Sequence, residues 1–289
     1  MSYCKHPLKG YRHKTTGGLT FRPGDADKSL AQLVVPCGQC IGCRLERSRQ
    51  WGVRIMHECA SHERSSFLTL TYNHESLPDD GSLNHRHFQL FMKRLRKSLG
   101  NKKVKYFLAG EYGEKLKRPH YHAILFGHWF PDSQRFLLSE SGHWLYRSDL
   151  LDGLWGHGFC QIGSVSFESA QYVAKYCLKK VTGSMAKDAY GDRKPEYATM
   201  SNGIGFEWIT KYMDEVYQSD EVIVNGHSSP VPRYYDKKLE EFDPEKFAEV
   251  KAERNRVDVK RIREQTEPRL RAQEEVLKAR TNLYKRKDV

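Results

Sequence analysis

The sequence predicts a globular protein that combines β-strands with α-helices. Short runs of apolar and β-favouring residues indicate strands at 65–73, 104–110 and 119–126. Apolar residues at helical spacing indicate helices at 84–99 and 167–180. With 289 residues, the chain is long enough for one large domain, or for one domain with an extension.

The charge balance points to a polyanionic partner. There are 48 Lys and Arg against 36 Asp and Glu, a net charge of +12, with basic clusters at 93–97 and 102–105. Nucleic acid is the natural partner for such an excess, although charge alone also fits RNA, an anionic membrane or a merely soluble basic surface. No run approaches the ~20 apolar residues of a membrane span, and the N-terminus lacks the apolar core of a signal peptide. We therefore expect an intracellular protein without a membrane partner.

Residues 1–36 show no sustained periodicity, so an irregular segment is expected there. Three closely spaced cysteines follow, each separated from the next by two residues: Cys37, Cys40 and Cys43. This spacing suits a tetrahedral zinc site, for which Cys4 is the best distant fourth ligand, with His6 behind it. Arg47 stands where an iron–sulfur run would carry its last cysteine, so such a cluster is not expected. The alternative is that the cysteines are small buried residues in a reducing compartment.

The next elements follow in order along the chain. Residues 43–62 place apolar side chains mostly at helical spacing among arginines, which predicts an amphipathic helix with a basic face. The strand at 65–73, the helix at 84–99 and the strand at 104–110 come next. Residues 128–157 contain aromatics and glycines without a clear period, and they predict no element.

The third strand carries His120 and His122 two residues apart. Successive side chains of a strand alternate between faces, so both imidazoles can share one metal ion while Tyr121 points into the opposite layer. The alternative is a pair of structural histidines on a half-buried strand. His85 and His87 have the same spacing, but they begin a helix, where such positions diverge and joint chelation is not expected.

An acidic residue precedes the histidine strand. Glu111 follows the second strand and lies just before the connection to the third, so its carboxylate and the two imidazoles can converge on one sheet face. Glu114, in the connection, is the reserve ligand. Two neutral histidines and one carboxylate leave positions open for phosphate oxygens, which suits a hard divalent cation that polarises a phosphodiester. The alternative for both glutamates is a solvated turn carboxylate.

The predicted helix at 167–180, which follows a strand at 158–166, combines tyrosines with lysines on one face. Tyr172 and Tyr176 are one turn apart, and each is followed three residues later by a lysine, Lys175 or Lys179. Such a face can offer nucleophiles to a phosphate. The alternative is that the tyrosines pack against the rest of the fold.

Taken in this order, the Phe-Leu-Thr-Leu-Thr strand, the His-Tyr-His strand with its upstream acid and the helical Tyr-x-x-Lys resemble the HUH superfamily of rolling-circle replication initiators. The paired tyrosines resemble the two-tyrosine initiators of small circular single-stranded DNA phages. The cysteine segment, Met200-Ser-Asn-Gly-Ile-Gly205 and Pro232-Arg-Tyr-Tyr235 are similar to the gokushovirus-type initiators of the Microviridae. The resemblance covers roughly residues 1–235.

The resemblance implies an α+β fold of the HUH type, with a ferredoxin-like or RRM-like core. A central antiparallel sheet would be flanked by helices, and the tyrosine helix would lie across the metal-bearing face. It also assigns roles to the motif residues: metal binding by His120, His122 and Glu111, nucleophilic attack by Tyr172 and Tyr176, and assistance by Lys175 and Lys179.

The implied chemistry is transesterification at a replication origin. A tyrosine attacks one strand, with Mg²⁺ or Mn²⁺ bound, and leaves a 5′-phosphotyrosyl link and a free 3′-OH for rolling-circle replication in the cytoplasm of a bacterial host. No Gly-x-x-x-x-Gly-Lys-Ser/Thr motif occurs, so a host helicase and host replication proteins are expected partners.

The expected organisation has three parts. A Cys-rich segment and basic helix occupy 1–63, an HUH endonuclease domain 64–235, and a charged helical extension 236–289. From Lys251 onward there are 13 Lys and Arg against 7 Asp and Glu, which indicates one or two exposed helices, either a solvated tail or an arm that binds DNA or a partner. Two rival functions are a non-catalytic, zinc-stabilised nucleic-acid-binding protein and a metal-dependent hydrolase that activates water.

Overall fold

The computed structural model describes most of the chain, namely residues 4–113, 116–139, 142–179, 185–256 and 265–285. Within these ranges, only the backbone is described at 175–179, 185–186, 189 and 283–285. The chain divides by packing into two compact units, Ser48–Val250 and the combination of Met1–Arg47 with Lys251–Val289. The functional boundaries at residues 63 and 235 stay predictions.

The described strands are β1 Leu8–Arg12, β2 Leu19–Thr20, β3 Leu33–Val35, β4 Ser65–Thr71, β5 Lys105–Tyr112, β6 Pro119–Phe126, β7 Gln134–Leu138, β8 Trp144–Arg147, β9 Cys160–Ser164, β10 Tyr197–Met200, β11 Glu221–Val224 and β12 His227–Pro230. The described α-helices are α1 Ile41–Ala60, α2 His85–Ser98, α3 Asp149–Trp155, α4 Phe167–Lys179, α5 Met185–Tyr190, α6 Phe206–Ser219, α7 Arg233–Phe242, α8 Pro244–Arg254 and α9 Glu267–Lys285.

The larger unit is built on a seven-stranded sheet in the order β10-β5-β6-β4-β9-β8-β7. Every pairing in this sheet is antiparallel, and β5 and β6 form a hairpin. Buried residues of α2 and α3 pack on one face, and those of α1 and α4 pack on the other. The predicted α+β fold, a central antiparallel sheet flanked by helices, is therefore confirmed.

The alternation of side chains along β6 assigns its two faces. Tyr121 and Leu125 are buried in the core under α2, whereas Ile124 is buried in the core under α4. His120 and His122 are in step with Ile124 and lie on the α4 side. The prediction that Tyr121 points into the layer opposite the histidines is confirmed.

Helix α2 begins and packs as its sequence predicts. Asn84 is its N-cap, and its side chain accepts a hydrogen bond from the backbone N–H of Arg86. The apolar stripe of α2 is buried under the sheet at Phe88, Phe91, Met92 and Leu95.

A second core lies in the same unit, between α1, α6, α7 and the β11–β12 hairpin. Val53, Ile209 and Tyr235 are among its buried residues. Leu239 and Val250 also belong to this core, so residues 236–250 pack with the larger unit rather than as a free arm.

Two segments contain more structure than the sequence indicated. Residues 1–36, expected to be irregular, contribute β1, β2 and β3 of a three-stranded sheet. Residues 128–157, where no element was predicted, form β7, β8 and α3. These strands have two to five residues and mostly exposed or half-buried side chains, so they lack the alternation that identifies a strand in sequence.

The smaller unit joins the beginning of the chain to its last described helix. Lys5 Nζ donates a hydrogen bond to Gln273 Oε1 over 2.6 Å, and His6 Nε2 lies 2.9 Å from Glu274 Oε2. The prediction of charged helices at the C-terminus agrees with α7, α8 and α9. None of the helices described has the length and apolar content needed to cross a bilayer.

Candidate active site

The β5–β6 hairpin aligns the predicted metal ligands. Glu111 pairs directly with His120, and His122 pairs with Ala109 on one side and Thr69 of β4 on the other. Alternation puts Glu111, His120 and His122 on the same sheet face.

The ligand atoms of these three residues converge. Glu111 Oε1 lies 2.8 Å from His122 Nε2 and 3.2 Å from His120 Nε2. One ligand atom from each residue fits within a cluster in which all atoms are within 4.8 Å of one another. Glu111 is only 2% exposed. Glu114, the reserve ligand, lies outside the described residues.

The other nitrogen of each imidazole is held by the protein. His120 Nδ1 lies 3.2 Å from the carbonyl oxygen of Arg118, which can only accept, so Nδ1 carries the proton and the neutral ring presents its Nε2 lone pair. His122 Nδ1 lies 3.1 Å from the hydroxyl of Thr69. Such outer partners fix the tautomer and ring orientation of metal-binding histidines.

The charges of the site favour a bound cation. Burial raises the pKa of Glu111, but hydrogen bonds with His120 and His122 outweigh it and lower this pKa to about 2, so the carboxylate is ionised at neutral pH. Burial lowers the pKa of His120, but Glu111 reverses the effect and raises it overall. A buried carboxylate facing two nitrogen lone pairs requires a shared proton or a cation between them. The donor set therefore fits a divalent metal ion.

Helix α4 lies across this face of the sheet, as the resemblance implied. Ala170 and Val173 are buried against it. The ring of the half-buried Tyr172 stands edge-on to the His122 imidazole, with 5.2 Å between centroids. Position 176 is one turn further along the same helix, so its Cβ direction is offset by only ~40°. The side chains of Tyr176, Lys175 and Lys179 lie outside the described residues.

The structure also brings the four predicted cysteine ligands together. Cys37 Sγ lies 3.9 Å from Cys43 Sγ, and Cys40 Sγ lies 4.0 Å from Cys4 Sγ. Four thiolates at ~2.3 Å from one zinc ion are ~3.8 Å apart, so these spacings fit a tetrahedral site. His6, the other candidate, pairs with Glu274 instead.

Backbone N–H groups surround the sulfurs. Lys5 N donates to Cys40 Sγ over 3.2 Å, and Cys37 N donates to Cys4 Sγ over 3.2 Å. Gly38 has a φ of 75°, which allows the turn between the first two clustered cysteines. Burial raises the pKa of Cys40, but hydrogen bonds led by Lys5 N lower it to about 6, which favours the thiolate that binds metal.

The two downstream motifs meet each other rather than the metal ligands. Arg54 of α1 donates to the carbonyl of Ile204 over 3.1 and 2.9 Å. Gly205 N donates to the buried Glu58 over 2.7 Å. A Cβ on Gly205 would lie 2.6 Å from the hydroxyl of Tyr235. Met200–Gly205 and Pro232–Tyr235 therefore have a packing role against α1.

Sequence reasoning missed the orienting roles of Thr69 and Arg118. The Phe-Leu-Thr-Leu-Thr pattern was a usable signal for Thr69, because the pattern predicts a strand whose threonines share one face. Its pairing with the histidine strand was not predicted, since β4 and β6 are separated in sequence by α2 and β5.

Comparison with known proteins decides the family. The chain is 35% identical over 259 residues to the Replication-associated protein VP4 of Bdellovibrio phage phiMH2K, a match that covers 86% of this chain and 81% of that protein. The chain belongs to the phage replication-associated proteins. It is also 33% identical over 258 residues to the Replication-associated protein ORF2 of Spiroplasma virus 4, covering 82% of this chain and 80% of that one.

A family model for replication-associated proteins of the ORF2 type matches residues 65–181. This segment of the replication-associated protein contains Glu111, His120, His122 and Tyr172. No solved structure matches the chain significantly.

Proposed function

We propose that this replication-associated protein initiates rolling-circle replication of a small circular single-stranded DNA phage genome by nicking one strand at the origin. The observation that carries the proposal is the Tyr172 ring, 5.2 Å from the ring of His122, one of three converging candidate metal ligands. A phenol beside a site for a phosphate-polarising cation is the arrangement that tyrosine transesterification requires.

In the proposed reaction, the hydroxyl oxygen of Tyr172 or Tyr176 attacks the scissile phosphorus. A phosphotyrosyl ester to the 5′ end forms, the P–O3′ bond breaks, and the departing 3′ oxygen takes up a proton. Because one phosphoester replaces another, the reverse attack by a 3′-OH rejoins the strand. A tyrosine has a reference pKa near ~10, so its proton must leave as the new bond forms. Lys175 and Lys179 are proposed to hold a non-bridging oxygen or to ease this deprotonation.

Glu111, His120 and His122 are proposed to hold Mg²⁺ or Mn²⁺, which supplies Lewis-acid polarisation of the phosphodiester. The chain does the remaining work of orientation. The carbonyl of Arg118 and the hydroxyl of Thr69 fix the two imidazoles, and buried Glu111 supplies the negative charge that retains the cation.

Cys4, Cys37, Cys40 and Cys43 are proposed to bind a structural Zn²⁺. The support is the spacing of their sulfurs and the N–H groups directed at them. The proposed partners are single-stranded origin DNA, a host helicase and host replication proteins in the bacterial cytoplasm.

The decisive experiment incubates the purified protein with single-stranded phage DNA and Mn²⁺, then tests for protein attached to a 5′ end. We expect a covalent adduct that survives denaturation and disappears in His122→Ala. A non-catalytic binding protein leaves the DNA intact, and a hydrolase that activates water cuts it without an adduct. Either result contradicts the proposal, and retained cleavage by chelator-treated His122→Ala overturns the metal assignment.

A further inference from the structure

An exposed phenylalanine lies on the sheet face that carries the candidate metal ligands. Phe159 is 70% exposed, directly before β9. Leaving such a side chain in water rather than burying it forgoes ~1.5–3 kcal/mol. A single exposed apolar residue is ordinary, so its significance depends on what lies beside it.

The register places Phe159 in one row with the metal ligands. Leu70 pairs with Cys160, and Thr71 N donates to the carbonyl of Phe159 over 3.0 Å, so Thr71 lies opposite Phe159. On its other side, Thr71 pairs with His120, which pairs in turn with Glu111.

Alternation then assigns the face and the distance. Cys160 is buried in the core under α2, so Phe159 is directed to the opposite face, where the ligands lie. Its backbone is two strand spacings, ~9–10 Å, from that of His120.

The backbone that carries Phe159 is held firmly. Its carbonyl accepts a second hydrogen bond, from the Thr71 hydroxyl over 2.7 Å, and Asn73 N donates to the carbonyl of His157 over 2.8 Å. Gly158 has a φ of 150°, and a Cβ there would lie 2.3 Å from Asn73 N, so only glycine permits this close approach. The exposed ring therefore stands on a fixed support.

A cation lies at the same end of the sheet. Arg118, which precedes β6, donates from Nη2 to the carbonyls of Tyr72 and Asn73 over 3.1 and 3.3 Å. Its guanidinium therefore lies beside the chain that connects the histidine row to the phenylalanine. A positive group next to an exposed aromatic ring is the combination with which proteins hold single-stranded nucleic acid, through the phosphate and the base respectively.

We propose that Phe159 is the stacking platform for a base close to the scissile phosphate, with the Arg118 guanidinium beside the intervening backbone. The inference rests on the proposed nicking function for its location, but the stacking itself is a separate property. The platform positions the strand so that the phosphodiester reaches the metal ligands, and it accepts any base because every base has a π-face.

The test compares Phe159→Ala with the wild-type full-length protein on two DNAs of the same length. One is an oligothymidylate of about 20 nucleotides, and the other is its fully abasic counterpart, which keeps the phosphates and lacks the bases. Phe159→Ala should bind oligothymidylate about 5- to 150-fold more weakly, the effect of losing one base stack, and bind the abasic strand unchanged. Phe159→Tyr should bind both as the wild type does.

Phe242→Ala is the matched control, since Phe242 is 58% exposed in α7 and lies outside the ligand row. We expect it to bind both DNAs normally. Equal losses on both DNAs, no loss on either, or the same selective loss in Phe242→Ala overturns the platform.

The covalent assay separates this inference from the proposed function. In Phe159→Ala, adduct formation should need more DNA to saturate yet reach the wild-type rate, because stacking contributes to binding rather than to the chemical step. If the wild type forms no adduct while the selective binding loss is present, the nicking proposal fails and the platform stands. If the adduct forms but binding shows no selective loss, the platform fails and nicking stands.

Discussion

Replacing Thr69 by valine removes the hydroxyl that lies 3.1 Å from His122 Nδ1 while keeping the β-branched shape of the side chain. His122 then loses the partner that orients its ring, whereas His120 keeps the backbone carbonyl of Arg118. The substitution therefore weakens one of three ligands without removing it.

The size of the effect follows from that single contact. One hydrogen bond contributes ~0.5–1.5 kcal/mol, and losing an outer partner of a metal ligand typically costs ~10- to 100-fold in affinity. The two ranges meet near ~1.4 kcal/mol, so we expect Thr69→Val to bind Mn²⁺ about tenfold more weakly.

The assay is calorimetric titration of Mn²⁺ into protein freed of the metal at Glu111, His120 and His122, with the cysteine site kept loaded with zinc. Thr71→Val is the matched control, because Thr71 faces the same side of β4 and its hydroxyl bonds to the carbonyl of Phe159. Adduct formation by Thr69→Val should recover at higher Mn²⁺. Unchanged affinity in Thr69→Val, or an equal loss in Thr71→Val, would refute this account of the site.

Three further outcomes are expected. Gly205→Ala should lower the free energy of unfolding by ~2–5 kcal/mol, combining a left-handed φ of 77° with a 2.6 Å contact to Tyr235, whereas Gly226→Ala, with a φ of 75° and nothing within 4 Å, should lose only ~1–2 kcal/mol in denaturant unfolding; equal losses would contradict the packing role. Cys40→Ser should lower bound zinc and thermal stability while Cys59→Ser does not, as metal analysis and thermal unfolding will show; unchanged zinc and stability would sink the cysteine site. Truncation before Lys251 should weaken DNA binding uniformly and flatten its salt dependence in affinity measurements, but abolished nicking at saturating DNA would place residues 251–289 within the catalytic machinery.

The truncation point differs from the predicted boundary at residue 236 because of packing. Leu239 and Val250 are buried in the second core, so cutting at 236 would also remove part of that core. Charge and composition in sequence distinguish an exposed helix from a buried one only when its apolar stripe is clear, and residues 236–250 are mainly charged.

The parts of the fold that the sequence predicted are those with strong local patterns. The apolar run Ala123–Phe126 predicted β6, and the spacing of Phe88, Phe91, Met92 and Leu95 predicted α2. The hairpin arrangement also predicted that Glu111 would meet the two histidines, because adjacent antiparallel strands fix which residues face each other.

The remaining features depend on contacts distant in sequence. Thr69 meets His122 only because β4 inserts between β6 and β9, and no local pattern determines that order. Cys4 reaches Cys37 across 33 residues, which cysteine spacing could suggest but not fix. Phe159 looked like any apolar strand residue, since its exposure follows from ending the sheet row that contains His120.

The central claim is that a tyrosine of α4 becomes linked to DNA. The most direct measurement is peptide mapping of the adduct trapped with single-stranded phage DNA and Mn²⁺, in the wild type, Tyr172→Phe, Tyr176→Phe and the double variant. We predict that DNA is found on both tyrosines in the wild type, that each single variant nicks but loses repeated rounds, and that the double variant forms no adduct. An adduct on a residue outside α4, or one that persists in the double variant, would contradict the account. DNA found on one tyrosine alone, with multi-round turnover intact when the other is phenylalanine, would contradict the alternating use of two nucleophiles.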